Sequence, residues 1–446
     1  MATMTAAQLA EIENRHPDVF HRSLLKRYTP LFVALGCLLY VVYCWWFFSI
    51  GTVIAGGQWE RANLYARQWY SYDLRPTIRF TGTEAKITYP RYSPLGNNPN
   101  PDWVNQAGDR VTVDFGSSGS VSADSKLVTV DHRGETLTMV LEPDGAKPQG
   151  ALPGWATLRE DEVKVDFGFA GEARISPERV SISRRFFGWP NFVFDPNSPF
   201  WGKSFSEVAG LMTSGERIKP EMSNAALAFD NIWNNSQWQH GDVWTKLLQT
   251  IVMAFVGTLF ASFIAFPLAF MAARNITPNF FANQLTKRFF DFLRSVDMLI
   301  WALFFTRAFG PGPLAGISAI FFTDTGTLGK VYSETLENVD DKQREGVRSV
   351  GASPVVVQRF GVVPQVLPVF LSQALYFWES NTRSATIIGA VGAGGIGLKL
   401  WEAMRTNSNW ANVAYMVLLI LIVVFIFDNI SNALRRRLMD GGGAGH

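Results

Sequence analysis

Apolar positions along this chain follow two rhythms. Continuous apolar runs, of the order of the ~20 residues that a bilayer-spanning helix needs, occupy 30–53 and then recur at 246–273, 298–309, 313–322, 366–388 and 413–434. Between about 57 and 240 the chain is polar and rich in turn residues, and its apolar side chains alternate. Val111, Val113 and Phe115 form one such set, Leu137, Met139 and Leu141 another, then Val163, Val165 and Phe167, then Val180 and Ile182. Period two is the pattern of half-buried strands, and turn clusters such as Pro143, Asp144 and Gly145 separate them. The middle region therefore predicts a β-sandwich or barrel. No internal repeat stands out.

The flanks of the runs orient them. The first run follows Arg22, Lys26 and Arg27 and ends in Trp45, Trp46, Phe47 and Phe48, an aromatic cluster suited to a membrane interface. It is longer than the roughly 7–15-residue apolar core of a signal peptide, so an uncleaved anchor is expected. The runs 298–309 and 313–322 are short and joined through Gly310, Pro311 and Gly312. Counting them gives six spans, with both termini on one side. Arg22, Lys26 and Arg27, the loop with Arg274, Lys287 and Arg288, the loop with Lys342, Arg344, Arg348 and Arg359, and the tail Arg435, Arg436 and Arg437 then share that side. By the positive-inside rule it is the cytoplasm.

The expected architecture is an α-helical polytopic membrane protein, six transmembrane helices with an inserted extracytoplasmic β-rich domain. Residues 1–29 form a cytoplasmic segment, 30–53 the first helix, 54–240 the insert, 241–438 a five-helix domain and 439–446 a glycine-rich tail.

The chain is 48% hydrophobic, yet its mean hydropathy is only +0.07, because the average mixes these two regions. The net charge of +2 is small, and the basic residues cluster beside the apolar runs, which argues against nucleic acid. Cys37 and Cys44 lie seven apart in one apolar run, too far along a helix for a disulfide. His16, His21, His132, His240 and His446 show no ligand spacing. Gly202, Lys203 and Ser204 are the nearest approach to a Walker A motif, but Asn197 stands where its first glycine belongs. Paired nucleophile and base residues are not evident, so no catalytic site, metal or cofactor is expected in this chain.

The most informative segment is 345–364, reading EGVRSVGASPVVVQRFGVVP. Glu345, Gly351, Ala352 and Pro364 resemble the EAA loop of ABC importer permeases, which couples the membrane subunit to its ATPase; Gly346 and Gly361 depart from that pattern. A short helix ended by a glycine turn offers a rigid knob to a partner, and Pro364 is expected to stop a continuous helix from absorbing the push. With the stretches 250–275, 298–316 and 379–397, the last 200 residues or so are similar to phosphonate-type ABC importer permeases. The resemblance does not extend to the β insert. It implies a type I importer permease fold, an ATPase dimer that binds ATP and Mg, an external substrate-binding protein, a second permease chain, identical or a paralogue, and a place in the cell membrane.

Within the fifth span, Glu379 and Arg383 sit four apart on one helix face, a spacing that permits an ion pair. They either neutralise one another or line the path, with Arg383 offering its fork of donors to an oxyanion. Ser380, Thr382, Ser384 and Thr386 add hydroxyls nearby, and Asn381 an amide. Arg294, Asp297 and Arg307 are weaker candidates near span ends. Gly389, Gly392, Gly394, Gly395 and Gly397 include a G-x-G-x-x-G pattern, but a membrane span precedes it. They read as packing or gate glycines. Trp155, Trp189, Phe192, Phe194 and Trp201 of the insert could form buried core or a docking surface. Permeases for phosphate, methionine or osmoprotectants share the coupling loop, and a membrane-anchored β-domain sensor is the rival from another class.

Overall fold

In the computed structural model, residues 24–81, 84–90, 93–96, 101–159, 161–406 and 410–440 are described. Arg22, most of the expected N-terminal segment and the final glycines lie outside them. The chain divides into a unit ending at Ala66 and a second from Arg67 onward.

In the first unit, helix α1 (Leu24–Phe47) is long and apolar enough to cross a membrane over Tyr28–Phe47. It ends earlier than the apolar run suggests. Ser49 takes φ +51, a left-handed turn that breaks the helix, and α2 (Ile50–Ala55) restarts beyond it. The indole of Trp59 donates to Ile54 O at 2.9 Å, and α3 (Trp59–Gln68) follows. Cys37 and Cys44 are free thiols.

The alternating region folds into two antiparallel sheets on one shared core. Strands β1 (Ser71–Leu74), β2 (Thr77–Thr81), β3 (Glu84–Thr88), β10 (Ala156–Arg159), β11 (Glu162–Asp166), β12 (Gly171–Ser176) and β13 (Arg179–Phe187) form the first. Strands β4 (Val104–Ala107), β5 (Arg110–Asp114), β6 (Ser120–Ala123), β7 (Leu127–His132), β8 (Glu135–Glu142) and β9 (Gly145–Pro148) form the second. The inward residues are those the period-two pattern marks: Val111, Val113, Val163, Val165, Val180 and Ile182 are all buried.

The structure corrects the expectation of no repeat. Each element from Pro101 to Arg133 has a counterpart 52 residues on, as Trp103 and Trp155, Val111 and Val163, Phe115 and Phe167, or Gly119 and Gly171 show. Asp114 and Asp166 each accept from the amide two residues on, Gly116 and Gly168, at 2.7 Å. Asp114 N donates to Trp103 O and Asp166 N to Trp155 O, both at 2.9 Å. Phe115 and Phe167 stack on one another with ring centroids 4.1 Å apart. In the second half, β2 and β3 occupy the places beside β13 that β8 and β9 take beside β7 in the first. The repeat escapes inspection because its second copy is completed by strands that precede the first.

A connector runs from Gly188 to Gln239. It contains α4 (Phe205–Thr213), opened by a capping box of Ser204 and Glu207, and α5 (Asn224–Trp233). Buried Asp195 ties it together, accepting from Ser236 Oγ at 2.5 Å and Ser236 N at 2.9 Å. His240, the first residue of the next helix, lies between Phe192 O at 2.7 Å and Tyr415 Oη at 2.8 Å. The carbonyl can only accept, so Nε2 carries a proton.

The helical domain comprises α6 (His240–Ala272), α7 (Phe280–Ser295), α8 (Met298–Phe309), α9 (Pro313–Glu337), α10 (Asp341–Ser349), α11 (Pro354–Val357), α12 (Val363–Ile388), α13 (Gly395–Thr406) and α14 (Trp410–Asp440). α6 and α9 run parallel in close contact. A Cβ on Gly257 would lie 2.7 Å from Ile320, a proximity that small residues permit. α12 runs antiparallel to both, and α14 antiparallel to α12. The helices 240–272, 354–393 and 410–438, with 28–47 of the first unit, are long and apolar enough to span a membrane.

Two expectations change here, and one alternative is decided. The run 313–322 is only the start of a 25-residue helix, whose polar remainder hides its length from an apolar count. The basic loop holding Lys287 and Arg288 is instead the amphipathic α7, exposing Phe281, Leu285 and Phe292; Asp297 caps the break between it and α8, accepting from Leu299 N at 2.8 Å. The aromatic residues of the insert are mostly packed: Trp155 stacks on His132, Trp189 and Phe192 join Trp238 and Tyr415, and Phe194 meets Phe200, while Trp201 bonds Asn191.

Candidate functional site

The segment that resembles a coupling loop projects from the ends of α6 and α9. Asp340 caps α10, accepting from Lys342 N at 3.0 Å, and the helix ends at Gly351 with φ +82, a left-handed turn that disfavours any residue with a Cβ. Arg344 fixes the helix at both levels, pairing with Asp341 at 2.9 Å and donating to Asn275 O at 3.0 Å beyond the end of α6. Glu337 closes the same end, accepting from Lys287 at 2.8 Å and Arg274 N at 2.9 Å. The outer face of the knob is open: Glu345 is exposed, without an ion pair among the described residues, and Val350, Val355 and Phe360 expose apolar surface beside it. Ala352 is half-buried in the turn after Gly351.

Pro364 does not interrupt the helix as expected. The chain is helical from Pro354 through α12, widening to a π-turn at Gln358–Val362 just before the proline. A proline lacks the amide for its own i−4 carbonyl and its ring crowds that carbonyl; a wider turn makes the room. Gln365 Nε2 donates to Gly361 O, occupying one of the displaced acceptors at 2.5 Å. Gly361, where the family pattern has isoleucine, faces α10. A Cβ there would already touch Gln343 O, Arg344 and Val347 at 3.4–3.6 Å, leaving little space for a longer side chain.

Along α12, alternate faces serve different neighbours. Toward α14, Glu379 accepts from Arg383 at 3.4 Å and from Arg435 at 3.1 Å, and Arg383 also pairs with Asp428 at 3.0 Å. Two acids and two bases thus form one neutral group between helices, with Glu379 buried and the Arg383 side chain 45% exposed. Thr382 returns its hydroxyl to Trp378 O and Thr386 to Thr382 O, each lining a small cavity with Leu247, Thr250 and Ile420. Ser380 and Ser384 are half-buried on the same helix.

Toward α6 and α9, Asn381 donates to Asp324 at 2.5 Å and to Thr258 Oγ1 at 2.7 Å, while Thr258 donates to Asp324 at 3.3 Å. Asp324 is 1% exposed. A carboxyl buried among three membrane helices is costly and calls for partners, which this triad supplies. Sequence reasoning missed Asp324, because it lies beyond the end of the apolar run that defined its helix.

The glycine stretch after α12 is a break, not a continuous helix. Gly392, Gly394 and Gly395 all take positive φ, and Gly392 O accepts from Gly312 N at 3.0 Å, joining the break to the turn between α8 and α9. A Cβ on Gly389 would meet Gly394 O at 2.5 Å, and one on Gly397 would lie 1.9 Å from Thr386 O. Thr250 Oγ1 of α6 accepts from Ile396 N at 2.8 Å, pinning the start of α13.

The family model described as "Binding-protein-dependent transport system inner membrane component" matches residues 265–440. The phosphite transport system permease protein PtxC of Stutzerimonas stutzeri is 38% identical over 190 residues, 43% of this chain and 69% of that one. The putative cryptic phosphonate transport system permease protein PhnE2 of Escherichia coli is 44% identical over 121 residues, 27% of this chain and 98% of that one. The phosphate-import permease protein PhnE of Mycolicibacterium smegmatis is 36% identical over 193 residues, 43% of this chain and 36% of that one. With a matching coupling segment set on a bundle of membrane-length helices, the chain belongs to the inner-membrane permease family of binding-protein-dependent ABC importers and is a transport subunit, not an enzyme.

Proposed function

We propose that this chain provides half of the transmembrane path of an importer for a phosphorus oxyanion, a phosphonate, phosphite or phosphate. In this reading six spans, with α7 and α8 together forming one, follow the type I importer plan. Both termini are cytoplasmic and the β-domain is extracytoplasmic. A second permease chain, identical or a paralogue, completes the path, an external binding protein delivers the anion, and a separate ATPase dimer binds ATP and Mg. The observation that carries it is the open knob of Glu345, Val350, Val355 and Phe360, fixed to α6 by Arg344 and packed at Gly361 against the helix that runs on into α12. A push on α10 passes to the next helix where Gly361 lies against Gln343, Arg344 and Val347, and from there reaches the membrane as a rigid-body movement, since no break separates Pro354 from the Gly392 kink.

Among Glu379, Ser380, Thr382, Arg383, Ser384 and Thr386 of α12, the half-exposed Arg383 is the side chain that reaches the path, and the others support it. Arg383 is the exchangeable cation: an oxyanion with two or three acceptors competes with Asp428 for a bidentate fork, while Glu379 and Arg435 hold the neighbouring charges. The glycine break from Gly389 to Gly397 is the gate.

The test is ATPase activity of the chain reconstituted in lipid with its ATPase and binding protein, against phosphonates, phosphite and phosphate. Stimulation by one of these, lost on Glu345→Ala while the subunits still purify folded, is the expected result. Stimulation by methionine or a quaternary amine instead would keep the importer and remove the phosphorus substrate.

A further inference from the structure

The duplicated β-domain holds the same turn twice, and beside that turn the two copies differ in aromatic surface. Where the first has Ser117 and Glu135, the second, 52 residues on, has Phe169 and Phe187. At the turn the backbone does not need the aromatic, because the first copy builds the matching turn with Ser117; beyond it the copies part, since Phe187 extends β13 to pair with Ser71 of β1 whereas Glu135 opens β8 after the turn at Arg133 and Gly134. Yet Phe169 stacks on Phe187 at 4.1 Å, Tyr70 also stacks on Phe187 at 6.0 Å, and Phe187 remains 70% exposed. The Arg185 guanidinium lies 5.9 Å from the Phe169 ring and is itself held by Asp73 at 2.9 Å.

The position of this ladder identifies its occupant. Gly188 N donates to Tyr70 O and the Trp189 indole to Trp69 O, both at 2.8 Å. Trp189 then packs on Trp238 and Tyr415, beside the first residue of α6 and in the first turns of α14. The ladder is therefore continuous, within two residues, with the place where the chain enters the membrane helices. Exposed aromatic rings edged by arginine are the side chains that favour the headgroup boundary, and an unpartnered apolar patch on a polar domain needs a cover.

We propose that Tyr70, Phe169 and Phe187 insert into the outer-leaflet interface, so that lipid covers this end of the β-domain and fixes its orientation on the bilayer. The proposal rests on the extracytoplasmic placement given above. Its test uses the full chain with Cys37→Ser and Cys44→Ser, reconstituted in phosphatidylcholine–phosphatidylglycerol nanodiscs. Nitroxide labels are placed one at a time at Phe169→Cys and Phe187→Cys and, as exposed sites of the first copy, at Ser117→Cys and Glu135→Cys. The first copy folds with a serine at the place of Phe169, and Phe187 is mostly exposed, so losing the rings does not threaten the fold.

The expected result is an oxygen-to-nickel-chelate collision ratio several-fold higher at 169 and 187 than at 117 and 135. Equal ratios overturn the proposal, as does chelate access at 187 that disappears only when a binding protein is added, which would make the ladder a protein-docking surface. Separately, an impermeant maleimide on intact cells should label Glu135→Cys. No labelling there defeats the extracytoplasmic placement itself, whereas labelling with equal collision ratios defeats only the lipid contact.

Discussion

Asn381 reaches from α12 to the buried carboxyl of Asp324 on α9 at 2.5 Å, and with Thr258 of α6 the two bind three helices through one polar contact. Replacing Asp324 with alanine leaves the buried Thr258 hydroxyl without its acceptor and Asn381 with Thr258 Oγ1 alone. An unsatisfied buried group costs about 1–3 kcal/mol, so Asp324→Ala should lower the thermal midpoint in detergent by several degrees. Since Asn381 serves the same contact, the Asp324→Ala, Asn381→Ala double variant should lose clearly less than the sum of the singles. Strict additivity would mean that the triad does not act as a unit.

The glycines of the coupling segment are unequal. Gly346 has nothing within 4 Å of where a Cβ would stand and lies inside exposed α10. Gly346→Ala should therefore stabilise that helix by about 0.5–1 kcal/mol, seen as slower amide exchange over Asp341–Ser349, with ATPase coupling retained. Faster exchange there would contradict the open surroundings.

Gly397 is the opposite case. A Cβ would sit 1.9 Å from Thr386 O, a backbone atom that cannot rotate away. Gly397→Ala should cost about 1–3 kcal/mol as overpacking does, and should reduce transport further by displacing the Thr250 to Ile396 contact. A variant with wild-type melting and uptake would show that the break after α12 is looser than its geometry.

Acid should loosen the connector through Asp195. Burial pushes the Asp195 carboxyl up, but hydrogen bonds from Ser236 Oγ and from the amides of Ser236, Asn197 and Ser198 outweigh it and hold it below the ordinary value of 3.8. A carboxyl depressed in the folded state stabilises fully above its unfolded value and loses that contribution as pH falls through the folded one. Fluorescence melts should show the wild type losing more stability than Asp195→Asn between pH 5 and pH 3. Parallel losses would assign the acid sensitivity elsewhere.

How much was legible follows from where each signal is stored. The period-two positions from Val111 to Ile182 and the apolar stretches of α6, α12 and α14 are properties of single segments, set by burial on one or all sides, and a one-dimensional reading finds them. The coupling segment was legible for a similar reason: Glu345, Gly351 and Pro364 lie within twenty residues, and Gly351 meets a local backbone demand.

Tertiary structure decided what depends on partners distant in sequence. Asp324 reads as a helix-ending polar residue until Thr258 and Asn381, far away along the chain, supply its hydrogen bonds. Arg383 reads as the partner of Glu379 alone until α14 brings Asp428 and Arg435 beside it. Pro364 reads as a stop until the π-turn ahead of it widens to let the helix pass. The duplication was present in the sequence throughout, but only the pairing of β2 with β13, and of β3 with β2, makes the second copy whole. Local composition sets which segments can be buried; which buried groups must satisfy one another is fixed by the packing that brings them within hydrogen-bond distance.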